Sequence, residues 1–246
     1  MRTREAAKQD QLRARHRLSK FLLRMGRRPA VGIKAWTEPY MAWVRQVRFE
    51  RPAQQAALED YLHEVDHMAA RVKGLEQAIT EVVKLASPGV QEVVKGLQAL
   101  RGIAEISAVT RVAELGQISR FDTARQLMGY SGAVPSEDSS GKRKRQGSIT
   151  KTGNAHLRRI VVEAAWSYRH RPAIGPGLRK RQQGVSEPIE EIAWKAQVRL
   201  SRRYARLAAA GKDQRKIVTA VARELLDFIW AIGVKAERSV TQQIAA

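Results

Sequence analysis

The chain has 246 residues, 43% hydrophobic, with 45 Lys and Arg against 24 Asp and Glu for a net charge of +21 and a pI near 11.0. That length supports one large or two modest domains with a core, and the charge draws polyanions, nucleic acid first. There is no Cys, which excludes disulfides and thiolate metal sites; no apolar run has membrane-span or signal-peptide character, so the expectation is a cytoplasmic, nucleoid-associated protein with no membrane partner.

The charge is unevenly spread. Residues 1–50 carry 13 basic and 4 acidic groups, and residues 51–100 carry 5 and 7. Cationic regions therefore flank a mildly acidic spacer. The fold class expected is mostly α, in three parts: a basic helical segment (1–50), a long coiled-coil helix (51–88) and a compact helical C-terminal domain (90–246).

Leu12, Leu18, Phe21 and Leu22 predict a helix over 4–24, ended by Gly26 and Pro29. Between Ile33 and Phe49, Trp36, Tyr40 and Trp43 sit among Arg45 and Arg48. Such aromatics stack on bases in some proteins, but the core of a small helical unit is the simpler reading. Leu58, Tyr61, Val65, Met68, Val72, Leu75, Ile79, Val82 and Ala86 then alternate three and four apart, an a/d seam over four heptads. The densely charged flanks favour self-association through this seam over packing inside one domain, so a homo-oligomer is expected.

The segment LQALRGIAEISAVTRVAEL (97–115) reads as two short helices around Gly102. It has the outline of a helix-hairpin-helix, whose backbone N–H groups hold a DNA phosphate, with Ala104 where a second glycine is usual. Phe121 to Tyr130 gives another short amphipathic helix. A polar stretch follows, PSEDSSGKRKRQGSITKTGNAHLRR (135–159), and Asn154 stands at the N-cap of a helix over about 155–168. Residues 172–188 hold three Pro and three Gly and read as a loop. Helices over about 189–208 and 213–233 complete the core. The only strand signal is a short hairpin around Gly147–Lys151.

For chemistry the 135–159 stretch is the richest. Ser139 and Ser140 stand against Gly141, followed by Lys142, Arg143, Lys144 and Arg145. A hydroxyl among cations suits attack on a phosphodiester, but it needs a base, a metal or an electropositive pocket to activate it; a solvated turn is the ordinary reading. No metal site is expected. His63 and His67 at i,i+4 lie on the outer face of the heptad helix, and the carboxylate pairs Glu59–Asp60 and Glu190–Glu191 point to different helix faces.

The order of these pieces resembles the C-terminal transposase domain of the insertion-sequence one-ten family, which includes the Piv-type DNA invertases. The matching pieces are Leu100–Ala104, Ile118–Phe121, Tyr130–Pro135, Ser139–Gly141 and Ile149–Arg159. Upstream stretches such as RLSKFLLRMGRRP and FERPAQQAALEDYL extend the likeness over essentially the whole chain. The resemblance implies an enzyme that cuts and rejoins DNA through a covalent serine link, guided in some members by a structured RNA. Ser140 best matches the family's nucleophile, with Ser139 as the alternative.

Residue chemistry makes Lys142, Arg143, Lys144, Arg145, Lys151, Arg158 and Arg159 the phosphate ligands. Family members begin with a RuvC-like domain whose four carboxylates bind a divalent metal, and this chain starts after the matching position. The expectation is therefore no cofactor here, Mg²⁺ only with that domain, and weak or no cleavage by this chain alone. Two alternatives stay open: a non-catalytic DNA- or RNA-binding regulator, and a helix-hairpin-helix architectural protein.

Overall fold

The computed structural model describes residues 1–137 and 146–245. It is mostly helical, as the periodicity predicts. The chain divides into two compact units, Met1–Glu81 and Val82–Ala246.

In the first unit, helix α1 (Arg2–Arg24) buries Ala7, Gln11, Ala14, Leu18, Phe21 and Leu22, an apolar stripe at three- and four-residue spacing. Gly26, at φ +68°, ends it in the left-handed region where a side chain would be strained. Helix α2 (Glu38–Gln46) buries Tyr40 and Val44. Trp36, Tyr40 and Trp43 stack as tilted neighbours with ring centroids 5.2 and 5.5 Å apart. These aromatics build a small core with Leu18, Phe21 and Val44.

Helix α3 (Pro52–Lys84) buries Leu58, Val65 and Val72. The partner of that part of the seam is α1 of the same chain, running antiparallel. Arg17 pairs with Glu64, Asp10 with Arg71 (3.4 Å) and Arg4 Nε with Glu76 (2.9 Å), so positions step up one helix and down the other. Phe21 and Tyr61 rings lie 5.4 Å apart. These ion pairs are partly exposed and set register more than stability. The self-association surface read from the sequence is thus packed in cis from Leu58 to Val72, whereas Val82 is 65% exposed.

The second unit contains α4 (Pro88–Gln98), α5 (Glu105–Leu115), α6 (Ala124–Ser131), β1 (Pro135–Glu137), β2 (Gln146–Ile149), α7 (Ala155–Ala165), α8 (Pro176–Gln182), α9 (Glu187–Ala209) and α10 (Gln214–Ala245). Helix α10 packs against α4, α6, α7 and α9 and carries the centre of the core through Leu225, Ile229 and Ile232. Short 3-10 turns at Ile118–Arg120 and Trp166–Arg169 link the rest.

Two elements differ from the sequence reading. Residues 176–182 are helical rather than looped: Pro176 starts the helix, and Leu178 and Gln182 bury one face four residues apart. Helix α10 runs on past 233 because Gly233 serves packing instead of a stop. A Cβ there would meet Ile118 Cδ1 at 2.4 Å, and Glu237, one turn on, accepts from the Ile118 and Ser119 N–H groups at 2.7 and 2.8 Å.

Candidate nucleic-acid interface

Strands β1 and β2 pair antiparallel, Pro135 opposite Ile149 and Glu137 opposite Gln146, with an irregular register between. Residues 138–145 join them in sequence. Ser139, Ser140, Lys142, Arg143, Lys144 and Arg145 all fall there, outside the described residues. What the structure defines is the base on which that segment is mounted.

The base is a backbone seam. Thr150 N donates to Val134 O (2.9 Å), Lys151 N to Gly132 O (3.1 Å) and Asn154 N to Tyr130 O (2.8 Å). The pairing of β1 with β2 therefore continues down to the end of α6 and the start of α7. Such close approach leaves no room for side chains at two points. At Gly132 (φ +67°) a Cβ would come 1.8 Å from Thr152 O, and at Gly153 (φ +87°) 2.3 Å from Tyr130 O. Between them Lys151 holds φ +60°, a left-handed conformation that costs a non-glycine residue about 1–2 kcal/mol. Lys151 is exposed at this strained turn.

Side chains lock the base from below. Asn154 caps α7 by accepting from Leu157 N (2.9 Å), and its Nδ2 donates to Glu114 Oε2 (2.8 Å), tying α7 to α5. Arg158 Nη1 donates to Ser131 O (2.7 Å). Arg159 is exposed and pairs with Glu163 one turn on (2.9 Å). Of the expected phosphate ligands, Lys151 and Arg159 face solvent, while Arg158 is half-buried and braces the α6 terminus.

Arginine serves structure elsewhere too. The Arg120 guanidinium lies over the rings of Phe121 (4.5 Å) and Tyr130 (5.0 Å), fixing the residues that lead into the base. Arg111 of α5 is fully buried and donates to Ser107 O (2.7 Å) and to Ile160 O of α7 (2.8 Å). Burial pushes its pKa down to about 10, so the guanidinium is still protonated at neutral pH. Nearby Tyr168 is fully buried with no partner for its hydroxyl among the described residues, and burial pushes its pKa up. Sequence reading missed Glu114, Arg111 and Arg120. Only Arg111, a cation on the buried face of its helix between Ala108 and Leu115, left a trace in the spacing.

The α4–α5 hairpin is present, but its glycine turns inward. A Cβ on Gly102 (φ +81°) would meet Ser167 Oγ at 2.1 Å and Ala164 O at 2.6 Å at the end of α7. The Ala104 N–H donates to Ser107 Oγ at 3.0 Å. The turn that resembled a phosphate cradle is thus packed against its own domain, with its leading N–H satisfied. Among the described residues no group of three or more His, Asp or Glu is placed to hold an ion.

Residues 138–145 are thus joined in sequence to the two strands of a ribbon whose base is fixed to a helical core. Residues 94–176, which enclose the base and the ribbon, match the transposase family IS116/IS110/IS902. Relatives extend the likeness. The chain is 41% identical to y4qE of Sinorhizobium fredii, named as a transposase, over 92% of this chain and 54% of that protein. It is 26% identical to the transposase for insertion sequence element IS1533 of Leptospira borgpetersenii, over 84% of this chain and 60% of the relative. A shorter match, 33% over 69 residues, is to the transposase for insertion sequence element IS1111A of Coxiella burnetii. The chain is thus similar to the IS116/IS110/IS902 transposase family over residues 94–176, and to proteins named as transposases over most of its length. It spans little more than half the length of the first two relatives.

Proposed function

We propose that this chain supplies the strand-exchange part of an insertion-sequence transposase and that Ser140 is its nucleophile. The Ser140 oxygen attacks a DNA phosphorus, forming a P–O bond as the bond to the leaving sugar oxygen breaks. The strand stays joined to the protein as a phosphodiester, and the serine proton passes through solvent or a base to the leaving sugar oxygen, which departs as a hydroxyl. Because a phosphodiester replaces a phosphodiester, the step reverses readily on a new strand end. Lys142, Arg143, Lys144, Arg145, Lys151 and Arg159 neutralise the scissile and flanking phosphates. Arg158 keeps the α6 end in place beneath them.

The observation that carries this reading is the fixed base: two glycines, a strained lysine and three backbone bonds hold the ends of the serine-bearing segment. A merely solvated loop needs no such anchoring. On this reading, cleavage by this chain alone is weak or absent, and the activating metal comes with a carboxylate-bearing domain. Self-association through the exposed end of the α3 seam, and a structured RNA partner, belong to the same reading.

The test is recombination of element-end DNA by a version joined to the remainder of its full-length relative. Ser140→Ala should abolish recombination while DNA affinity measured by anisotropy stays within about twofold. Unchanged recombination in Ser140→Ala and its loss in Ser139→Ala would move the role to Ser139. Full activity in both variants would leave a non-catalytic binding protein.

A further inference from the structure

The strongest unassigned feature lies on α9, away from the ribbon in sequence. Its inward face buries Ile189, Ala193, Ala196, Gln197, Leu200 and Ser201. That burial turns Lys195, Arg199, Arg202 and Arg206 outward together, at spacings of four, three and four residues along one helix face. With Arg203 they line a groove of about 860 Å³ against α10, whose Glu224 and Phe228 form part of the opposite wall. At 1.5 Å per residue the cation row is about 16 Å long. Trp194 lines the same groove and is 43% exposed.

The cations divide by what they already hold. Glu224 takes Arg199 (3.0 Å) and Arg203 (3.2 Å), and Lys195 pairs with Glu191 (3.1 Å). Arg202 and Arg206 are exposed, and neither has a charged or hydrogen-bonded partner among the described residues. The groove thus carries five cations against one carboxylate, with two guanidiniums unspent. A second copy of so basic a chain would bring like charge to this face, whereas a polyanion brings the complement. The indole selects among polyanions. A duplex buries the faces of its bases, while an unpaired strand offers them for stacking beside its phosphates.

We propose that the α9–α10 groove is a second DNA site, for an unpaired strand, in which a base stacks on Trp194 and successive phosphates bind Arg202 and Arg206. This rests on the strand-exchange reading, because breaking and rejoining DNA exposes unpaired ends that must be kept near the ribbon's own domain. Glu224 holds Arg199 and Arg203 as a preformed floor, so less side-chain freedom is lost on binding.

The test uses the full chain with a labelled oligo-dT of about 12 nucleotides, a duplex of equal length and the matching oligo-rU, read by anisotropy. Trp194→Ala should weaken oligo-dT binding about tenfold and leave the duplex nearly untouched. Arg202→Ala/Arg206→Ala should lower the magnitude of the oligo-dT log–log salt slope by about 1.4, the value for two single-strand phosphate contacts. Both changes are at exposed positions, and circular dichroism confirms that the variants remain helical. Ser140→Ala should bind oligo-dT like the parent, so failure of the nucleophile assignment leaves this result readable. Oligo-dT affinity unchanged in Trp194→Ala, or equal losses for duplex and single strand, would overturn the proposal. A Trp194-dependent preference for oligo-rU would overturn the DNA assignment in favour of RNA.

Discussion

The ribbon base and the outer face of α9 are both rich in arginine and use it in opposite ways. Around the base, Arg158 is bonded to a backbone carbonyl, Arg159 to Glu163, Arg120 lies over two rings and Arg111 is buried against two helices. On α9, Arg202 and Arg206 stand exposed with their donors uncommitted among the described residues. The same side chain is a brace in one place and a contact surface in the other. Counting cations along a sequence does not separate the two; asking which guanidinium donors are already spent does.

The sharpest way to break the comparison is to attack the brace. Gly132→Ala forces a Cβ onto Thr152 O at a positive φ, and that neighbour is backbone that cannot swing aside, so we expect a loss of about 3 kcal/mol in urea unfolding. Gly26→Ala, equally left-handed but with open space around it, should lose only about 1 kcal/mol. Equal losses would mean that conformation alone, without the close backbone approach, makes Gly132 necessary.

Arg158→Ala comes next. It removes a charge-assisted bond to Ser131 O, worth about 1.5–3 kcal/mol. Its effect on nucleic-acid affinity should follow the loss of fold and be small at temperatures where the variant is fully folded. A stable Arg158→Ala protein with strongly weakened duplex binding would return Arg158 to the phosphate ligands.

How much of this the sequence carried depends on the kind of signal. Apolar spacing in α1, α3 and α7 reports a local face, and those helices form where expected. The partner of that face is a matter of distant chain, so the seam read as a contact between copies is covered by α1 from Leu58 to Val72. Gly102, Gly132 and Gly153 were visible as turn residues, but a glycine looks alike whether it faces a phosphate or a carbonyl of its own domain. At Gly132 and Gly153 the nearest neighbour is protein backbone, and at Gly102 it is the Ser167 hydroxyl with Ala164 O behind it. The α9 row was fully legible as cations at 195, 199, 202 and 206. It passed unread because its apolar face explained the helix on its own.

A smaller effect isolates the buried brace. The Tyr168 hydroxyl is fully enclosed without a hydrogen-bond partner among the described residues, which costs about 1–3 kcal/mol. Tyr168→Phe should therefore match or exceed the parent in stability at pH 7, by up to about 1 kcal/mol. Burial raises the folded pKa above the ordinary 10.0. Below that value both states keep the proton and the group is silent. Above it the unfolded chain releases the proton first, so the parent loses stability as pH rises while Tyr168→Phe loses less. Unfolding curves at pH 7 and near pH 11 check this; a variant less stable than the parent at both would show that the hydroxyl is satisfied after all.

The smallest expected change is the most discriminating for α9. Arg202→Ala and Arg206→Ala remove exposed side chains with no partner among the described residues, so each should alter unfolding free energy by no more than about 0.5 kcal/mol. Arg203→Ala, which removes a half-buried member of the Glu224 pairings, should cost about 1 kcal/mol or less, because Arg199 still holds the carboxylate. Charge relief pushes the other way: the chain carries +21, and each arginine removed lowers repulsion within the folded state. Arg202→Ala and Arg206→Ala could therefore gain slightly in stability at low salt, a gain that added salt would erase. A substantial loss from either would mean that its guanidinium braces the fold as Arg158 does. The contrast between brace and contact surface would then collapse, since the side chains assigned to DNA would already be spent on protein.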